Sequence, residues 1–427
     1  MPTALEEDRI IDSNGWNAGE TPDLPYEEGF VLNALRHNAP QPFGLGYDTR
    51  LPPRPENWKK MSHLEYCLSY SPREGQTYSN LATSTAITSS IRTGPHQGAQ
   101  IVVVNHSMVA KIYDPLFYPL INDYGTKNDV VRDADADYCR EVTAFERLQQ
   151  STEAMAVTPA YYGSWTVMIE TPVDLPGHEV TRISRPVRFI LMELLSGISM
   201  AQIDASALRK EVRSLILEKT IIAESLLWDA GVDHRDFSPR NVMVLGSNYD
   251  NPGVPAKDIH VEVKLLDFNV AAVIDYPTYR YKASPRKKRW PTKLRSPILR
   301  HHGRMVEFSA RGWCSDKDAE AEKWLWQHFG DDDRYVPVFW DADDPWTSPV
   351  YQRTPNANLD SGDNNDDEAN EERGCSCGSS SKGSKSGENA GLLAYGPGSS
   401  TQGVSDGPET KGEDVGSSIE GDGASGY

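Results

Sequence analysis

The sequence predicts an α+β fold: a small antiparallel-sheet half, a mainly helical half, and a C-terminal tail that does not fold. Three observations carry this. Short apolar strands cluster ahead of residue 113, and runs of helical period follow at 133–150 and 206–230. The last 74 residues, Thr354 to Tyr427, hold 15 Gly, 13 Ser and 14 acids against 4 bases, with no Phe, Trp or Met. Such a stretch cannot bury enough apolar surface to offset the entropy of ordering, which also explains a hydrophobic share of only 38% for the whole chain. The tail carries −10 of the formal charge of −19, leaving −9 on residues 1–353. That length is ample for a large core built as two lobes.

Composition narrows the function classes. No apolar run reaches the ~18–20 residues of a membrane helix, and the N-terminus lacks the basic and apolar segments of a signal peptide. The five cysteines, at 67, 139, 314, 375 and 377, are scattered and odd in number, which fits an intracellular, reducing compartment. The acidic balance argues against a nucleic-acid partner. One segment departs from it: Arg280 to Arg304 holds ten Lys or Arg and no acid, a candidate surface for an acidic partner.

Residues 1–83 read as an N-terminal extension, Pro-rich and weakly patterned, with order beginning near Ser84. Ile87, Ser90 and Ile91 lead into the turn Gly94-Pro95-His96-Gln97-Gly98. Ile101–Val104 and Met108–Tyr113 then complete three antiparallel strands. Asp133 to Gln150 reads as a helix burying Tyr138, Val142, Phe145 and Leu148, spaced four, three and three apart. Pro186–Glu193 is a strand ending at Ser196-Gly197. A longer helix from Ser206 to Ala230 buries Leu208, Val212, Leu215, Ile222 and Leu226 and stops at Gly231. Two short strands follow, Asn241–Leu245 and Val261–Leu266.

The chemistry concentrates after the long helix, in His234-Arg235-Asp236-Phe237-Ser238-Pro239-Arg240-Asn241. Asp236 and Asn241, five apart in a loop, can face one site, and their oxygens suit a hydroxyl and a Mg²⁺ ion. A second acid, Asp267, stands at the end of a strand in Leu265-Leu266-Asp267-Phe268-Asn269. Lys111, in Val109-Ala110-Lys111-Ile112, puts an ammonium on a strand. Glu141 shares the inward helix face with Phe145 and Leu148 and is its candidate carboxylate, whereas Glu146, rotated by roughly 140°, faces solvent.

These segments resemble the protein-kinase superfamily, over about residues 84–310, and look closest to divergent kinase-like proteins of filamentous fungi. The catalytic loop H-R-D-x-x-x-x-N matches at His234, Arg235, Asp236 and Asn241, D-F-G at Asp267-Phe268, and V-A-I-K at Val109-Ala110-Lys111 with its last two residues transposed. The resemblance implies a bilobal protein-kinase-like fold, with 84–195 as the N-lobe and hinge and 196–353 as the C-lobe. It implies ATP and Mg²⁺: Lys111 on the phosphates, Asn241 and Asp267 on the metal, and Asp236, beside Arg235, as the base for the attacking hydroxyl. Gly94 and Gly98 would cover the phosphates, and Glu193 and Leu195 would meet the adenine at the hinge. The implied activity is transfer of the γ-phosphoryl of Mg-ATP to a hydroxyl, of Ser/Thr in a protein or of a small molecule as in aminoglycoside and choline kinases. A pseudokinase scaffold that binds nucleotide without turnover is the alternative. The departures are a Gly-rich loop with two glycines, Asn269 for the Gly of D-F-G, Ser238 for the usual Lys, and no A-P-E after Asp267.

Overall fold

Six strands, β1 (Val31–Asn38), β2 (Gln76–Arg92), β3 (Gln100–Val104), β4 (Met108–Tyr113), β5 (Tyr161–Val173) and β6 (Thr181–Glu193), close into an antiparallel barrel in the order β1-β2-β3-β4-β6-β5. The computed structural model describes residues 22–122, 124–173, 181–281, 292–339 and 350–351. The acidic tail at 354–427 and residues 282–291 of the basic segment lie outside them. Leu32, Val102, Ala110, Ile112, Val187 and Phe189 are fully buried on one face of the sheet. Burial of each of these side chains other than Ala110 is worth about 1.5–3 kcal/mol relative to exposure.

The barrel corrects the reading of residues 1–83 as an extension with order starting near Ser84. β1 lies inside that segment and pairs with both β2 and β5, and β2 begins at Gln76. The signal was faint for a physical reason. Alternation in β1 holds only through Ala34; beyond it the register shifts, Leu35 and Arg36 are both half-buried, and a histidine, His37, is buried with a 2.7 Å hydrogen bond to the Tyr138 hydroxyl.

A buried ion pair helps hold the barrel. Asp114 follows β4, is fully buried, and accepts two hydrogen bonds from Arg185 of β6 at 2.6 and 2.7 Å and one from the Tyr26 hydroxyl at 2.5 Å. All the polar atoms of this carboxylate are thus engaged, which a charge in low dielectric requires.

Helices α1 (His63–Ser69), α2 (Val130–Leu148) and α3 (Thr152–Ala156) fall between strands of the barrel in the chain. α1 starts in a capping box between Ser62 and Glu65. α2 starts at Asp129, whose side chain accepts from the Arg132 amide, and its Tyr138, Val142, Phe145 and Leu148 are buried as their spacing requires. The helical half is built on α4 (Lys210–Asp229), with α5 (Pro297–His301), α6 (Val306–Ala310) and α7 (Asp318–Phe329) after it. α4 stops at Gly231, whose φ of +91° favours glycine. Its buried stripe is corrected: Val212 is buried, but Leu215, Ile222 and Leu226 are only partly so, and Ile216, Leu217, Ile221 and Leu227 take the core. The helix is apolar on more than one side, so spacing alone did not select the face.

Short strands flank α4: β7 (Gly197–Ser199) before it and β9 (Val242–Leu245) and β10 (Glu262–Leu265) after it form one sheet, and β8 (Val232–Asp233) pairs with β11 (Ala272–Val273). A strap from the N-terminal segment lies on the last of these. Gly44, Leu45 and Gly46 all have positive φ, the Asp48 amide donates to Thr278, and the Arg280 amide donates to Gly46. A Cβ at Gly46 would stand 2.9 Å from the Tyr279 ring, so only glycine fits there.

Two outcomes follow from this packing. Asp114→Ala leaves Arg185 buried without its carboxylate and should cost about 3–5 kcal/mol in denaturant unfolding, whereas Asp114→Leu with Arg185→Met should cost much less. His63, buried with its Nε2 donating to the Pro115 carbonyl, is pulled down to about 4 by burial. Its folded pKa lies below the unfolded value, so its contribution is full above about pH 6.5 and is lost as pH falls towards 4. Wild type should therefore lose stability relative to His63→Asn across that window, by at most about 1.4 kcal/mol per pH unit; parallel profiles would show that His63 does not titrate as buried.

Candidate active site

Period-two geometry puts Lys111 and Tyr113 of β4 on one side of the sheet, facing α2. There Glu141 projects from α2 and is almost wholly buried. The Lys111 ammonium lies 2.5 Å from Glu141 Oε2 and 2.7 Å from Asp267 Oδ1, and the Tyr113 hydroxyl donates to Glu141 Oε2 at 2.7 Å. Burial opposes charge on Lys111, but the Asp267 and Glu141 carboxylates outweigh it and hold the amine above its ordinary value. Burial also pushes the Glu141 carboxyl up, against the pull of Lys111. For Asp267, burial is outweighed by Lys111, with Arg92 and His234 adding to it, and the carboxyl sits below its ordinary range. Asp267 is the open member of the trio, with 29% of its side chain exposed against 5% for Lys111.

The loop after β8 brings the second pair of residues in. His234 Nε2 lies 2.8 Å from the Leu266 carbonyl, and its Nδ1 accepts from the Asp236 amide at 3.3 Å, a pattern that assigns the proton to Nε2. The Leu266 amide in turn donates to the Asn241 carbonyl at 2.8 Å. Both main-chain groups of the residue before Asp267 are thereby tied to the 234–241 loop. A single 3₁₀ turn at Pro239–Asn241 folds Asn241 back, so that its Nδ2 donates to the Asp236 carbonyl at 2.9 Å and to Asp236 Oδ2 at 2.8 Å. Arg240 pairs with Asp236 Oδ1 and, at 3.4 Å, with Glu307.

The remaining expected residues lie as follows. Arg235 has φ +63°, and its guanidinium bonds the Leu45 carbonyl at 2.6 Å and the Tyr279 hydroxyl, so it is used to fasten the strap. Glu193 ends β6; its amide donates to the Ala160 carbonyl at 2.9 Å and its carboxylate accepts from the Ala160 amide at 3.0 Å. Leu195 lies between β6 and β7. Gly94 and Gly98 do form a tight turn, with φ +137° and +71°, but its amides do not simply face outward. The fully buried Gln100 latches it: the Gly94 amide donates to Gln100 Oε1 at 2.7 Å, and Gln100 Nε2 donates to the Gly94 and Gly98 carbonyls at 3.1 and 2.9 Å.

In the turn at Asp267-Phe268-Asn269 the left-handed residue is Asp267, φ +65°. Asn269 instead offers its carbonyl to Arg140 Nε at 2.5 Å and its amide to Asp137 at 3.4 Å. The basic segment is partly structural. Arg300 is half-buried against Glu224 and Asp233, Arg295 lies 4.7 Å over the Trp228 ring, and Arg280 pairs with Asp48 at 2.9 Å. Sequence reasoning missed Gln100, Arg140 and Tyr113. Only Tyr113 carried a signal, its position two residues from Lys111 on the same strand face.

The donor set fits a hard divalent cation. Asp267 is held ionised and partly open, and Asn241, having spent its NH₂ on Asp236, keeps Oδ1 as an acceptor. A charged Lys111 beside it fits phosphate oxygens. No protein-family model and no curated protein matches the chain. Among solved structures it matches WaaP in complex with acyl carrier protein, at 15% identity over 48% of this chain and 67% of that one, with a TM-score of 0.28. A likeness that slight leaves function to be argued from the chain's own residues.

Lys111→Met should test the trio directly. It leaves Glu141 buried without its cation and should lower stability by about 3–5 kcal/mol, with Glu141→Gln in the same chain recovering a large part. Simple additivity of the two losses would mean that the residues do not form one ion pair.

Proposed function

We propose that the chain is an ATP- and Mg²⁺-dependent phosphotransferase of protein-kinase type, moving the γ-phosphoryl to a hydroxyl. Residues 84–195, with β1 and the start of β2, would act as its small lobe and 196–353 as its large one. The observation that supports this most is the sharing of Lys111 between Glu141 and Asp267, beside a loop in which Asp236 and Asn241 are bonded to one another and tied to Leu266. In this reading Lys111 orients phosphate oxygens, and Glu141 keeps its ammonium from swinging away. Asp267 and Asn241 would hold Mg²⁺, which when bound neutralises charge on the phosphates. Asp236 positions the attacking hydroxyl and takes its proton, a role typically worth ~10²–10⁴ in rate. Positioning and electrostatics supply the rest. The acceptor class is left to experiment: Ser/Thr peptides first, hydroxyl-bearing metabolites second.

A second reading, a nucleotide-binding module without turnover, is favoured by one observation: the Gly94 amide that would face a phosphate is taken by Gln100. Single-turnover assays with radiolabelled ATP separate the two. The first reading expects phosphorylated product from wild type and at least ~10²-fold less from Asp236→Ala, with Mg-ATP binding retained. Binding without product in every acceptor pool would favour the second, and absence of both would contradict each.

A further inference from the structure

The trio of Lys111, Glu141 and Asp267 poses an electrostatic problem for a polyanion. One ammonium faces two carboxylates, so with both ionised the cluster is net negative, and the phosphates would meet it with the loop amide of Gly94 already committed to Gln100. A second protein cation on the same side of the sheet would add to the charge that a bound Mg²⁺ supplies. Register supplies one. Arg92 is the last residue of β2 and, just past a bulge between Ser90 and Arg92, lies opposite Ile101 of β3, which is directly opposite Lys111 of β4. Residues opposed across antiparallel strands share a face, so Arg92 and Lys111 face the same way, two strands apart. Arg92 is exposed, and its guanidinium makes a weak 3.5 Å bond to the Ala99 carbonyl, at the base of the Gly94–Gly98 turn. Among the described residues it has no ion pair. Its charge is nonetheless felt at Asp267, where it helps keep the carboxyl ionised.

We propose that Arg92 is a phosphate-binding residue of this site, supplying from the strand the positive charge that the latched loop does not supply from its backbone. This rests on the nucleotide-binding reading above. A guanidinium at the mouth of the turn, with four of its five N–H donors outside the bond to Ala99, suits phosphate oxygens in number and geometry. Gln100 then has a complementary role: by closing the turn on itself it fixes the strand end from which Arg92 reaches out.

The test is calorimetric titration of the full chain with ATP, inorganic tripolyphosphate and adenosine, for wild type, Arg92→Gln and Arg92→Lys. The expected result is that Arg92→Gln weakens ATP and tripolyphosphate by about tenfold, the loss of one charge-assisted hydrogen bond, leaves adenosine unchanged, and melts like wild type without ligand. Arg92→Lys should recover part of the affinity and show the same adenosine value. ATP binding to Arg92→Gln at wild-type strength overturns the assignment while leaving the nucleotide reading standing. Equal losses for ATP and adenosine also overturn it, since they would report a disturbed sheet. A wild-type chain that binds none of the three overturns the nucleotide reading and this assignment with it.

Discussion

One ammonium, buried between two carboxylates, is the constraint on which the rest of this site depends. Lys111 can be charged in the interior only because Glu141 and Asp267 lie 2.5 and 2.7 Å away, and each partner comes from a different part of the chain. The strand, α2 and the turn after β10 must therefore arrive together, or an uncompensated charge is left in low dielectric. The fold's remaining devices read as ways of guaranteeing that arrival. The Asp129 cap starts α2, and the His234 and Asn241 bonds to Leu266 hold the turn.

α2 contributes more than Glu141. The next residue toward its start, Arg140, is buried and reaches three ways: Nε to the Asn269 carbonyl, one terminal nitrogen to the Phe43 carbonyl at 3.0 Å, the other to Asp137 at 2.8 Å. Arg235 reaches the same strap from the other side through Leu45. The strap thus accepts one arginine from the helix that carries Glu141 and one from the loop that carries Asp236. Two non-glycine residues in left-handed conformation, Arg235 and Asp267, stand at these junctions, and such backbone persists only where surrounding bonds over-determine it.

How legible this was in the sequence depended on range. Lys111, Glu141, Asp236, Asn241 and Asp267 were singled out because each sits at a recognisable place in a local element, and Glu141 was separable from Glu146 by helix rotation alone. β5 alternates cleanly from Val167 to Val173, with Met168, Glu170 and Pro172 outward, and was readable on the same grounds, although no strand was expected there. Contacts set by tertiary packing were not readable. Nothing local says that Gln100 folds back onto Gly94, that residues 44–48 return to residues 276–280, or that β1 closes a barrel with β5. Arg300 and Arg295 looked like part of a basic surface for an acidic partner, because a charge pattern does not show which cations find Glu224 or Trp228.

The central claim is that a nucleotide phosphate comes to rest against Lys111. An acyl phosphate of ATP carries a reactive carbonyl to whichever amine lies beside its phosphates; attack there leaves an amide on the lysine and releases the nucleotide. Treating the intact protein with this reagent and mapping the modified residue by mass spectrometry tests the claim in one step. The account predicts acylation at Lys111, suppressed by excess Mg-ATP. Acylation spread over surface lysines and indifferent to Mg-ATP, with Lys111 untouched, would contradict it.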